Sequence, residues 1–472
     1  MRTTAFLAAA LGGTALLAAP PEPTLSPETA RAATEIVKKA LAGTKAAEIA
    51  TSLTDRAGPR LAGSPGDKAA VAWGVETLRA LHFANVHAEK APVRVWTRRS
   101  ESGAVVLPWP QPLALTALGG SVATPEAGLE ADVLEVSSLE DLDARAASAR
   151  GRIVFFDSAM RKSTEMGGYG EAVGVRANGA SRAARSGALG VLIRSIGTDH
   201  DRFPHTGGVD YDAGAPKIPA AALAVPDAEM LTRLGRLGPV RVRFRLDCGD
   251  EGMVESANVI GEIPGAGKPD EVVLLGGHLD SWDLGRGAID DAAGCAAVIE
   301  GARLAAEASP RPARTIRVIL FANEENGQGG AKAYAAAHAA ELPAHVAALE
   351  ADSGSGAPTG LSWLAGPSAE PSLRALSEVL APTGAARLEG NGSGGADIGV
   401  LRAAGVPLFS VLQDMSHYFD VHHTANDTAM QLEPASLDRL SAAIAAFAYA
   451  AASAPEPFER IPESQRIPPK RR

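Results

Sequence analysis

Apolar residues recur every three to four positions over 27–53 and again over 66–83, which predicts a helix in each stretch. The segment between them, GPRLAGSPGD, is a run of turn formers. VHAEKAPVRVWTR then reads as a strand. From about 110 to 248 the pattern changes character. GRIVFFD (151–157), GVLIRS (190–195) and IPAAALAV read as strands, and RANGASRAARSGALG and a stretch near 227–237 as helices. RVRFRLDC (241–248) alternates like a half-exposed strand. From about 255 apolar runs and helical stretches alternate. SANVIGEI, VVLLGGH, TIRVILFAN, HVAALEAD, LSWLAG and VPLFSVL predict strands. DDAAGCAAVIEGARLAAEA, GGAKAYAAAHAAEL and stretches near 370–382 and 433–453 predict helices. This alternation predicts an α/β fold with a mostly parallel central sheet flanked by helices.

The change of character divides the chain. Residues 25–110 and 249–455 form one discontinuous domain, and 111–248 form an inserted one. The Pro-rich, basic tail 456–472 is expected to be loosely ordered. Residues 1–19, one Arg followed by an apolar stretch, read as a signal peptide too short for a confident membrane span. That predicts a secreted or periplasmic protein with no membrane attachment after cleavage. The net charge of −10 offers no electrostatic footprint for nucleic acid. Of the two cysteines, Cys295 lies on the apolar face of a predicted helix, and neither has metal-ligand spacing.

Chemistry concentrates in five segments: GGHLDSWD (276–283), GAIDDAAG (287–294), FANEENGQGG (321–330), ALEADSG (348–354) and FDVHHTANDT (419–428). Most of them sit at strand ends, where open parallel sheets bind ligands. His278 follows an apolar strand and suits a zinc ion, with Asp280 placed to accept the other imidazole N–H. Asp290 and Asp291 open a helix; one can bridge two cations while free N–H groups hold the other. Glu324 and Glu325 divide into a general base and a metal ligand. Asp352 closes its strand at the mouth, with Glu350 one step deeper. Of His422 and His423 only one points easily at the metals, and His423 is the choice. His200 and His205 read as surface residues. A serine-nucleophile reading fails because there is no G-x-S-x-G elbow. GAGKPD (265–270) lacks the P-loop spacing.

These motifs resemble the co-catalytic zinc exopeptidases typified by bacterial leucyl aminopeptidase. RLAGSPGDKAAVAW, SANVIGEIPGAGKPDEVVLLGGHLDSWD and YFDVHHTAND are most similar to the plasma glutamate carboxypeptidase (carboxypeptidase Q) branch. The resemblance spans about residues 30–450, and 111–248 is similar to a protease-associated insertion. It implies two Zn²⁺ ions bridged by Asp290. His278 and Asp352 would hold one ion, and Glu325 and His423 the other. Glu324 would be the general base, with Asp280 orienting His278. It further implies a cis peptide at Asp290–Asp291, a short-peptide substrate and a homodimer. GNGSGGADIGVL (390–401) is similar to a substrate-side loop, in which Gly394 and Gly395 would let a peptide approach. His417 and Tyr418 would line a specificity pocket. The competing reading is a catalytically inactive peptide-binding protein on the same fold. The expected residue type at all six core positions disfavours it.

Overall fold

The computed structural model describes residues 25–467, so the expected signal peptide and residues 468–472 lie outside it. Its main sheet runs in the order Arg387–Gly390, Pro358–Leu364, Leu408–Gln413, His345–Glu350, Lys268–His278, Arg314–Phe321, then Arg241–Ile263 beside Ala84–Leu107. The central neighbours from Leu408–Gln413 to Arg314–Phe321 pair in parallel. Antiparallel pairs flank them on both sides. The mostly parallel sheet is therefore as the sequence predicts.

Alternation along each strand separates two apolar layers. Val273, Leu275, Val318 and Leu349 face the helices Pro27–Ala40, Ala46–Ala57, Ala293–Ala306 and Pro434–Ser453. Leu274, Ile319 and Ala348 face the helix Gly329–Ala337 on the other side. Small residues bring two of these helices close together. A Cβ on Gly301 would stand 2.7 Å from Ile444 Cγ2.

Further strands build a second lobe. Its strands Leu129–Val136, Ile153–Phe156, Gly190–Arg194 and Ala220–Leu223 are successive parallel neighbours, covered by Gly167–Arg185 and Val225–Gly235. RVRFRLDC and SANVIGEI are halves of one strand, Arg241–Ile263, which pairs along nearly its whole length with Ala84–Leu107. The polar stretch GDEGM between them reads as a break. It is instead the exposed middle of a ribbon that runs unbroken through both lobes. One end of the ribbon pairs with Arg314–Phe321 and the other with Leu129–Val136.

Two further expectations are corrected. The single helix expected over 27–53 is two, Pro27–Ala40 and Ala46–Ala57, separated where Gly43 takes φ +128°. Of the tail expected to be loose, 456–472, the described part is docked around Ile461, which is fully buried. Arg460 donates to the carbonyls of Leu342, Pro343, His345 and Ala404, which anchors that stretch. Among the described residues no helix is long and apolar enough to cross a membrane.

Candidate metal centre

Three parallel strands end at one place. His278 closes Lys268–His278, Glu324 and Glu325 follow Arg314–Phe321, and Asp352 follows His345–Glu350. Asp290 arrives on the turn Ala288–Ala292, and the Asp290–Asp291 peptide is cis. Asp291 does not join the cluster's donors. Its carboxylate accepts the N–H of His278 and of Gly294, each at 3.0 Å, and so caps the following helix.

Asp290 is the hub. Its Oδ1 lies 3.0 Å from His278 Nε2, which is 3.6 Å from Asp352 Oδ1. Its Oδ2 lies 3.2 Å from His423 Nε2, which is 3.2 Å from Glu325 Oε2. The five residues expected as ligands thus form two sets sharing one carboxylate. His422 also comes near: its Nε2 is 3.5 Å from Asp290 Oδ2, and its ring stacks on His423. Only His423 of the two also reaches Glu325.

The charges fit a cation. Burial would pull both histidines down, yet carboxylates more than offset it. Asp290 and Asp352 carry His278 well above the ordinary imidazole value, and Glu325 and Asp290 carry His423 up to about 10. Burial would raise Asp290, but the two histidines hold it well below the carboxylate range. Burial, then Glu325, Asp352 and Asp397, drive Glu324 well above it. Glu325 Oε1 and Asp280 Oδ2 are buried with no hydrogen-bond partner. Crowded, partly unpaired carboxylates beside two imidazoles are a donor set that a divalent cation satisfies.

Residues to which the sequence assigns no metal or catalytic role hold this arrangement. Asp427 accepts the N–H groups of Ala288 and Ile289 at 2.8 Å and of Asp290 at 3.2 Å, which fixes the hub's turn. Arg60 is fully buried and donates to the carbonyls of Leu279, Arg286 and Gly287. Glu350 accepts the N–H groups of Ala396, Asp397 and Ile398. Asp427 falls inside FDVHHTANDT and Arg60 inside RLAGSPGD, so both carried a signal.

Some expected roles change. The His278 Nδ1 lies 3.1 Å from the backbone carbonyl of Asp280 and 3.8 Å from its carboxylate. That carboxylate accepts the Glu324 N–H instead, because the strand end carrying Glu324 lies beside it. His205 is buried, not a surface residue, because its loop folds back onto the His422–His423 turn; His200 is exposed. Gly394 and Gly395 have positive φ, and packing already explains their missing side chains. A Cβ would meet Leu408 at 2.5 Å or the Glu350 carboxyl at 2.3 Å. His417 and Tyr418 border a surface pocket of about 350 Å³ with Ser355, Asp414 and Met430. A larger groove, about 640 Å³, opens beside Glu325 between the lobes, with Arg94 and Lys332 in its lining.

The chain is similar to known proteins. A family model described as peptidase family M28 matches residues 258–448. Mouse carboxypeptidase Q is 36% identical over 410 residues, covering 86% of this chain and 86% of the relative. The chain belongs to peptidase family M28. A peptidase M28 precursor from Shewanella amazonensis aligns with TM-score 0.89 at 42% identity, over 92% of this chain and 99% of that one. A zinc aminopeptidase from Bacillus subtilis aligns with TM-score 0.59 at 20% identity, over 92% of this chain and 99% of that one, and shares the fold.

Proposed function

We propose that this M28 chain is an exported, zinc-dependent exopeptidase that binds two ions and hydrolyses dipeptides or short peptides. The observation that carries the reading is Asp290, whose two oxygens serve two separate ligand sets. A carboxylate used in this way would join two ions. His278 and Asp352 would hold one ion, and Glu325 and His423 the other.

Such an ion pair supplies Lewis acidity to the scissile carbonyl and brings a water's pKa toward neutrality. The chain does the rest. Glu324 sits beside the cluster with its backbone held by Asp280, placed to take the water's proton and return it to the departing amine. The resemblance to carboxypeptidase Q supports a substrate with a free carboxylate; the zinc aminopeptidase fold supports a free amine.

One experiment separates these. The zinc-loaded protein is incubated with free, N-blocked and C-amidated forms of one peptide panel, with Glu324→Gln as control. Cleavage that survives amidation and stops with N-blocking makes it an aminopeptidase. Loss with either block, with dipeptides preferred, makes it a dipeptidase. No cleavage, or full activity in Glu324→Gln, overturns the reading.

A further inference from the structure

The loop of the second lobe around residues 198–206 reaches the turn that carries His422 and His423. Thr198 donates its N–H to the Phe419 carbonyl at 3.0 Å and its hydroxyl to Asp420 at 2.7 Å. His205 places Nδ1 2.6 Å from the His422 carbonyl oxygen. The Thr206 N–H donates to the His423 carbonyl at 3.1 Å. In return, His423 Nδ1 lies 3.4 Å from the Thr206 carbonyl oxygen. The carbonyls on both sides of the His423 α-carbon, and its ring, are therefore held from the other lobe.

His423 needs that hold. Its φ is +62°, a left-handed conformation that a residue with a Cβ occupies at a cost and keeps only when its surroundings fix it. His205 is itself built in. It is 1% exposed, its N–H donates to Ser195 Oγ at 2.8 Å, and its Nε2 lies 2.7 Å from Asp199 Oδ1. Gly197 leaves it room, since a Cβ there would stand 2.2 Å from the imidazole. Among the described residues the His278 half of the cluster shows no comparable contact: Arg60, Asp291 and the Asp280 carbonyl, all in the main lobe, support it.

We infer that the second lobe completes the His423–Glu325 half of the metal centre. Thr206 accepts the Nδ1–H of His423, which turns Nε2 toward Asp290 and Glu325, and His205, braced by Asp199, clamps the backbone that sets the ring's direction. His205 and Thr206 are positioning residues. This rests on the two-ion reading above. A partner that orients a metal-binding imidazole typically changes metal affinity by about 10- to 100-fold when lost.

The test is zinc content and affinity, by chelator competition and elemental analysis, in the full chain. His205→Ala should lose about 10- to 100-fold in affinity at one of two sites and leave the other at its wild-type value. His205→Asn, whose amide can donate to the same carbonyl, should recover most of the loss. In a His423→Ala background, His205→Ala should add nothing. If His205→Ala does not fold, Asp199→Ala must show the same one-site weakening. Both ions held as in wild type, or both sites weakened alike in the Ala and Asn variants, overturns the inference. A wild type that holds one ion fails earlier, at the two-ion reading.

Discussion

The Glu324 backbone N–H donates to the Asp280 carboxylate at 2.9 Å. The residue proposed to move the proton is thus fixed by a side chain from the neighbouring strand end. Burial raises Asp280 to about 7, and its second oxygen has no partner. Asp280→Ala should free the Glu324 backbone. A small misplacement of a catalytic group costs on the order of 10²-fold in rate. We expect kcat to fall by about that factor with zinc content unchanged. Loss of zinc in step with activity would assign Asp280 to His278 instead.

Asp427 gathers three N–H groups from the turn bearing Asp290. Asp427→Ala leaves those buried donors unsatisfied, each worth about 1–3 kcal/mol. Denaturant unfolding of the zinc-free protein should show a loss of about 3 kcal/mol or more. Asp427→Asn, which keeps acceptor oxygen on one side, should lose less. Equal stability of the Ala variant and wild type would contradict the assignment.

Zinc binding should release protons. Burial opposes it, but Glu325 and Asp290 carry His423 up to about 10, and His278 is also well above the usual value. Below those values a zinc ion must displace a ring proton, so apparent affinity rises with pH. Titration calorimetry at pH 8 in buffers of different ionisation enthalpy should show release of about two protons per chain. No buffer dependence would contradict it.

A second pH effect lies far from the metals. Burial lowers His345 to about 4, and the Tyr334 hydroxyl lies 2.7 Å from its Nε2. The unfolded ring titrates near 6.5, so the unfolded chain binds more protons between about 4 and 6.5. Its neutral form stabilises the fold fully above that window, and the contribution is lost as pH falls through it. The span is on the order of 3 kcal/mol. His345→Gln should flatten the stability slope between pH 4.5 and 7 relative to wild type; parallel slopes would contradict this.

The sheet and the clustering of the candidate ligands were legible because both obey local rules. Apolar runs such as VVLLGG and TIRVILFAN end at the lip of the sheet, so the polar residue next in sequence is also next in space. The ribbon was less legible, because GDEGM is exposed and hides the continuity of Arg241–Ile263. His205 was misread for a related reason: a polar, Gly-rich loop resembles surface until a distant turn covers it. The Asp280 role differs because sequence places it near His278 without showing that the Glu324 strand end is nearer. The buried Ile461 lies in a Pro-rich run whose composition says nothing of where it docks.

The central claim is that Asp290 joins two ions. Anomalous diffraction at the zinc absorption edge, from crystals of the zinc-loaded protein, tests it directly. The account predicts two peaks per chain, one among His278, Asp290 and Asp352 and one among Asp290, Glu325 and His423, with both lost in Asp290→Ala. A single peak, or two peaks that persist without Asp290, would contradict it.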